Sequence, residues 1–217
     1  LEMDLTFVLD GHTTIEHALP MTPLYKDVVT LLGKSKTGYT PTLLVAYGGP
    51  SGEKWFYQHY DVWKNERLLS VTPQGVIDSK ARRREMIPDE DWHHINVAAG
   101  AKKVIDAGGT VCLGGHGQLQ GLGPHWEIWG FVQGGMTPLE ALRVATLSPA
   151  KTLGLDGDLG SIEAGKLADF VVLERNPLEK IENTDSVTLV VKNGVGYKPE
   201  DLKRIGANGN GPSLGSL

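Results

Sequence analysis

The sequence has few of the features that mark a secreted, membrane-bound or nucleic-acid-binding protein. Of its 217 residues only Cys112 is a cysteine, so an internal disulfide is excluded. No apolar run approaches the roughly 20 residues of a membrane-spanning helix, and the first residues lack the pattern of a secretory signal. The formal net charge is −5, whereas a phosphate backbone calls for a basic face. We therefore expect neither nucleic acid nor a membrane among the partners.

The apolar segments of the first 157 residues alternate between strand and helix patterns. Strands are predicted in "TTIEHALP", "YTPTLLVAYGG" and "TVCLGG", and helices in "PLYKDVVTLLGKSK" and "DWHHINVAAGAKKVIDAGG". This order is typical of parallel strands joined by helical crossovers, which makes the predicted fold class α/β. Residues 48–90 interrupt the pattern with a long polar and aromatic stretch, which we predict to be a lid, a binding loop or a small insertion.

The pattern changes in the C-terminal part of the chain. Thr137, Pro138 and Glu140 predict a capping box at the start of a further helix. Short strand patterns follow, and Asn193-Gly194 between two of them predicts a hairpin turn. We therefore divide the chain into a parallel α/β part over 1–157, a small β module over 158–199 and a mobile tail over 200–217.

Two histidines lie where predicted parallel strands end. His17 follows "TIE" and His116 follows "VCLGG", and in parallel β/α folds functional groups gather at these strand ends. Neutral imidazole is a common metal ligand, so the pair indicates a metal site; a structural, hydrogen-bonded role for each is the plainer alternative. His93 and His94 lie in the first turn of a predicted helix, and we interpret both as solvated surface. Glu127 also opens a helix, where the helix dipole alone favours a carboxylate.

Several segments together resemble a known family. "GHTTIEHALP", "TPTLLV", "LGGHGQ" and "MTPLEALRVATLSPAKTLGLDGDLGSIEAGKLADFVVLERNPLEKI" look like the C-terminal portion of the amidohydrolase superfamily. The branch they resemble contains imidazolonepropionase and the Xaa-Pro dipeptidase-like enzymes, in a subgroup often fused to a β-propeller. The resemblance implies the C-terminal part of a (β/α)8 metallo-hydrolase barrel, about strands 6 to 8, over 1–157, and part of a β-sandwich over 158–199.

The resemblance also implies roles for particular residues. His17 matches a metal-ligand position at the end of the sixth barrel strand. His116 stands at the end of the eighth strand, where most relatives have an aspartate, so it is predicted as a metal ligand or as the catalytic proton acceptor. For Glu127 the corresponding hypothesis is that the catalytic role of the family's aspartate has shifted to this residue. The implied cofactor is zinc or another divalent metal, which this fragment alone need not hold.

Other parts of the family pattern are missing. The first-strand His-x-His pair and the lysine or glutamate and histidine of the middle strands do not occur, and a catalytic zinc typically needs three protein ligands. The leading hypothesis is the C-terminal half of an amidohydrolase that cleaves an amide or other C–N bond in a dipeptide-like or cyclic amide substrate. It would be inactive without its N-terminal half.

The second hypothesis is a non-catalytic remnant, or a binding or oligomerisation module, of the same fold. Under either hypothesis we expect the partner to be the missing N-terminal half of the barrel or a second copy of the chain. We also predict that the chain alone is not a stable monomer, because a partial barrel leaves strand edges unpaired. A small molecule or peptide is the expected substrate.

Overall fold

The computed structural model describes residues 1–205, which form a parallel sheet surrounded by helices and a separate antiparallel sheet. The strands are β1 (Thr14–Glu16), β2 (Gly38–Thr40), β3 (Thr110–Val111), β4 (Phe170–Leu173), β5 (Val187–Lys192) and β6 (Val195–Tyr197). The α-helices are α1 (Glu2–Leu9), α2 (Lys26–Lys34), α3 (Gly52–His59), α4 (Glu66–Val71), α5 (Gln74–Ala81), α6 (His93–Asp106), α7 (Gly123–Gln133), α8 (Pro138–Ala145) and α9 (Leu147–Thr152).

The parallel sheet has the order β1-β2-β3, so its neighbours follow one another along the chain. Tyr39 at the centre of β2 pairs with Ile15 on one side and Val111 on the other, and all three side chains are buried. Helix α2 connects β1 to β2, and α6 completes the connection from β2 to β3. The predicted alternation of strands and crossover helices is confirmed.

Two of the predicted strands are shorter than their apolar runs. Thr42 has a φ of 52°, which is left-handed and incompatible with a continuing strand. The chain therefore leaves β2 at Thr40, and Leu43–Val45 form a 3₁₀ turn. Strand β3 stops after two residues; the N–H of Leu113 bonds to the carbonyl of Val144 on α8. After β2 the buried residues Leu43 and Leu44 thus lie in a turn of the core, and after β3 the buried Cys112 lies in irregular backbone, which corrects the predicted strand lengths.

The stretch 48–90 is largely helical, with α3, α4 and α5. Its aromatic residues enter the core because they meet aromatic residues of α7. Phe56 stacks on Trp126 at a centroid distance of 4.8 Å, and Trp129 lies within 6.0 Å of Phe56. Such offset and stacked pairs add to the stabilisation from burial. The segment is thus a small helical insertion that is packed onto the α/β part.

His94 is the clearest error of the sequence interpretation, since it is fully buried. Its Nε2 lies 3.0 Å from Oε1 of Gln133 on α7. Trp92 and Phe56 surround the ring at centroid distances of 6.3 and 6.4 Å. This burial lowers the pKa of His94 to about 4. The helix on which it lies was predicted, but packing against α7 determines which of its faces is buried.

The antiparallel sheet has the order β4-β5-β6. Asn193 and Gly194 both have positive φ, 50° and 74°, as a tight hairpin of this type requires, and the capping box of Thr137 and Glu140 on α8 is also present. Phe170, Val171 and Val172 of β4 are exposed, and no second sheet covers them within residues 1–205. The predicted tail only partly lies in the described residues: Arg204 forms a bridge with Tyr197, and 206–217 lie outside them.

The low pKa of His94 predicts a loss of stability in acid. Between about pH 6.5, its ordinary pKa, and about pH 4, the unfolded chain binds a proton that the folded chain excludes. The free energy of unfolding therefore decreases as the pH falls through this window, by up to about 3 kcal/mol from this residue. Urea denaturation at a fixed protein concentration, from pH 7.5 to pH 4, measures the effect.

His94→Gln should flatten this pH dependence, because Gln has no proton to gain. His12→Gln is the matched control, since His12 is exposed, and it should keep the wild-type slope. An unchanged slope in His94→Gln would contradict the assignment.

Candidate functional site

All three parallel strands are followed by a non-glycine residue with left-handed backbone. The φ angles are 71° at His17, 52° at Thr42 and 50° at His116. Such angles are uncommon for residues other than glycine, and strained backbone of this kind clusters at functional sites, where the surrounding structure enforces it. The carboxyl edge of the sheet therefore carries a group of strained turns.

His17 and His116 meet at this edge. Their ring centroids are 5.0 Å apart at an interplanar angle of 71°, and the ring of Tyr47 lies 5.6 Å from that of His17. Nδ1 of His17 is buried and has no hydrogen-bond partner within residues 1–205. Buried polar atoms are rarely left without a partner, so this nitrogen is available to a ligand. The structure brings together the two residues that the sequence singled out.

Glu127 does not join them. It is fully buried on α7, and its two carboxyl oxygens accept hydrogen bonds from the backbone N–H groups of Leu43 (2.7 Å) and Leu44 (3.2 Å). Burial raises the pKa of Glu127 to about 8, although the backbone amides of Leu43, Leu44 and Gly114 act in the opposite direction. In this geometry Glu127 anchors the turn after β2, and its catalytic role stays a prediction.

The loop after β3 passes directly against the end of β2. A Cβ atom on Gly114 would lie 2.5 Å from Cγ2 of Thr40 and 2.7 Å from Oγ1 of Thr42, so one of these side chains would have to shift. Glycine permits the close approach without such a shift. The glycine-rich segment "LGGHG" thus lets the backbone that carries His116 lie against its neighbour.

A polar chain that sequence reasoning missed continues from His116. Nδ1 of His116 lies 3.2 Å from Oε1 of Gln118, and Nε2 of Gln118 donates to Glu53 at 3.0 Å. Lys80 donates to both carboxylate oxygens of Glu53, at 2.6 and 2.8 Å. Gln118 was visible in the quoted loop, but nothing in the polar stretch 48–90 distinguished Glu53 or Lys80 from solvated charges.

Comparison with known proteins identifies the family. Residues 122–196 match the amidohydrolase family model. The ochratoxinase of Aspergillus niger is 31% identical over 180 residues, which are 77% of this chain and 38% of the relative. The imidazolonepropionase of Geobacillus sp. (strain WCH70) is 33% identical over 142 residues, 59% of this chain and 32% of the relative. The chain therefore contains an amidohydrolase family domain over residues 122–196.

Solved amidohydrolase structures agree with this assignment. A Xaa-Pro dipeptidase with bound methionine in its active site superposes with a TM-score of 0.59 at 26% identity, covering 88% of this chain and 41% of that one. These neighbours are (β/α)8 enzymes, so the parallel α/β part is part of such a barrel, as predicted. The chain spans about two fifths of the length of these relatives, which is consistent with a C-terminal portion.

Amidohydrolases generally bind divalent metals, although no metal site is shown among residues 1–205 of this chain. His17 and His116, whose ring centroids are 5.0 Å apart, would be the side chains that hold such an ion, since neutral imidazole is a common metal ligand. Within residues 1–205, however, no three histidine, cysteine, aspartate or glutamate side chains lie close enough to hold a metal ion. His17 and His116 can supply a share of a ligand set but not all of it.

The same part of the chain contains no helix that is long and apolar enough to cross a membrane.

The anchor role of Glu127 predicts a graded loss of stability. Glu127→Ala leaves the N–H groups of Leu43 and Leu44 buried without a partner and should lower the free energy of unfolding by about 3 kcal/mol. Glu127→Gln should cost less, because its carbonyl oxygen can still accept from Leu43. Urea denaturation at pH 7 measures both variants.

The control is Glu90→Ala at an exposed position, for which a change within about 0.5 kcal/mol is expected. Equal stability of Glu127→Ala and Glu90→Ala would refute the anchor.

Proposed function

We propose that this chain supplies one wall of a metal-dependent amidohydrolase active site, in which His17 and His116 are metal-binding side chains. The reaction is hydrolysis of an amide or other C–N bond in a dipeptide-like or cyclic amide substrate. The observation that carries the proposal is the contact of the two imidazoles at the carboxyl edge of the sheet, with Nδ1 of His17 buried and unpartnered. The match of residues 122–196 to the amidohydrolase family model supports the reaction class.

The two histidines differ in their surroundings, which gives them different proposed tasks. His17 is half-buried and His116 is exposed. The buried, unpartnered nitrogen of His17 suits a fixed metal ligand. His116 lies on the glycine-rich loop at the opening, where its ring can bind metal or accept a proton from the attacking water. A bound divalent metal would supply an acidified water and a Lewis acid for the carbonyl.

The proposal requires a partner for the chain. A metal site needs at least one further ligand, and β1 and β3 each have an unpaired edge within residues 1–205. We propose that the missing N-terminal half of the barrel supplies both, as a (β/α)8 barrel closes its sheet with strands on each side. A second copy of the chain is the alternative cover for these edges.

A second candidate function is a non-catalytic binding or oligomerisation module. One observation favours it, since residues 1–205 lack a group of three metal-ligating side chains. The resemblance to the amidohydrolase superfamily also implies an aspartate at the position of His116. The exposed apolar side chains of Phe170, Val171 and Val172 would then serve an interface. Metal content and turnover separate this function from the first.

The experiment expresses the full open reading frame of the gene, including any residues encoded before Leu1, beside residues 1–217 alone. The longer protein should contain zinc or another divalent metal stoichiometrically and hydrolyse dipeptide-like or cyclic amides, whereas residues 1–217 alone should not. His17→Ala in the longer protein should remove metal and activity together. Its loss should exceed the 10–100-fold that removing an outer partner of a metal ligand costs.

His12→Ala is the matched control, since His12 is exposed and remote from β3 in sequence, and it should retain both metal and activity. A longer protein that contains no metal, or a His17→Ala variant that keeps its metal, would overturn the proposal.

A further inference from the structure

The His116 ring is held by a specific neighbour on its own loop. His116 and Gly117 both have left-handed backbone, with φ of 50° and 66°. The N–H of Gln118 bonds to the carbonyl of Gly115 at 3.2 Å. This tight turn folds the Gln118 side chain back toward the imidazole, so that Oε1 of Gln118 lies 3.2 Å from Nδ1 of His116. One ring nitrogen is therefore engaged and the other, Nε2, is left for other partners.

The amide of Gln118 can take only one orientation in this setting. Its other end faces Oε2 of Glu53 at 3.0 Å, and a carboxylate only accepts hydrogen bonds. The NH₂ group must therefore point to Glu53, and the carbonyl oxygen must point to His116. A carbonyl oxygen accepts, so Nδ1 of His116 has to carry the proton.

Both carboxyl oxygens of Glu53 accept hydrogen bonds from a cationic side chain. The Glu53 side chain is only 5% exposed, and Nζ of Lys80 donates to both of its oxygens. Charge-assisted pairs of this geometry are among the stronger hydrogen bonds. Hydrogen-bond donation therefore converges on Glu53: Lys80 donates to both of its oxygens, and Gln118, whose carbonyl oxygen accepts from the ring, donates to Oε2.

We propose that Glu53, acting through Gln118, is a positioning residue that holds His116 in its Nδ1–H tautomer and leaves the Nε2 lone pair free. Free imidazole in water favours the opposite tautomer, with the proton on Nε2, so the polar chain changes the chemistry of the ring. The consequence for metal binding or proton acceptance at Nε2 rests on the proposed function, whereas the tautomer itself does not.

The helical insertion over 48–90 supplies the charged residues of this polar chain. Glu53 lies on α3 and Lys80 on α5, so both charged groups come from the stretch 48–90, and Gln118 comes from the loop after β3. Partners behind a ligating histidine commonly fix its tautomer and orientation. Besides packing against the aromatic residues of α7, the insertion therefore determines which ring nitrogen of His116 carries the proton and which is free.

The test records the imidazole nitrogen signals of the ¹⁵N-labelled full chain by NMR, at an alkaline pH where imidazoles are neutral and without metal. Wild-type His116 should show a pyrrole-type Nδ1 and a pyridine-type Nε2. Gln118→Leu, which removes the bridge, and Glu53→Ala, which frees the Gln118 amide to turn, should each shift His116 toward the Nε2–H tautomer. Gln120→Leu is the control, since Gln120 is an exposed glutamine of the same loop.

A wild-type His116 that is mainly Nε2–H would overturn the inference without any variant, and so would an unchanged Nδ1–H tautomer in Gln118→Leu. Unchanged His12 and His59 signals in each variant show that the fold is retained. In the longer, metal-loaded protein Gln118→Leu should weaken zinc affinity about 10-fold. A confirmed tautomer with no zinc binding would leave this inference standing and refute the proposed function instead.

Discussion

The arrangement at the carboxyl edge of the sheet depends on one buried carboxyl group. Glu127 reaches from α7 to the backbone N–H groups of Leu43 and Leu44, at the point where the chain has left β2 through a left-handed Thr42. A buried turn of this kind needs partners for its amides, and no strand supplies them here. With the turn fixed, the end of β2 offers the surface against which Gly114 packs, and the loop that carries His116 is positioned in turn.

His17 and His116 lie close together because of the strand order and the turns at the carboxyl edge of the sheet. The strand order β1-β2-β3 places their strands on either side of β2, and the left-handed turns let both rings reach across its end, to a centroid distance of 5.0 Å. The insertion also contacts the loop that carries His116, because Glu53 accepts a hydrogen bond from Gln118 and pairs with Lys80. Three strand ends and a helical insertion thus surround two imidazoles. His17 has a buried Nδ1 without a hydrogen-bond partner within residues 1–205, and His116 is the ring whose tautomer we propose is set by Gln118.

The sequence was sufficient for features that depend on neighbouring residues. The hairpin at Asn193-Gly194, the capping box at Thr137 and helix α6 follow from local backbone and side-chain chemistry. The positions of His17 and His116 followed from the rule that functional groups lie at the ends of parallel strands. Contacts between distant segments were not accessible: Glu53 meets Lys80 across 27 residues and Gln118 across 65. The burial of His94 and the anchor role of Glu127 likewise depend on how α7 packs, which no local pattern encodes.

The central claim is that His17 and His116 act together on one ion. The most direct measurement adds zinc to the metal-free, ¹⁵N-labelled product of the full open reading frame and follows the imidazole nitrogens of its histidines by NMR. The account predicts that the His17 and His116 signals shift along one common saturation curve, at zinc concentrations that leave exposed His12 unchanged. Separate saturation curves for the two histidines, or a response no earlier than that of His12, would contradict it.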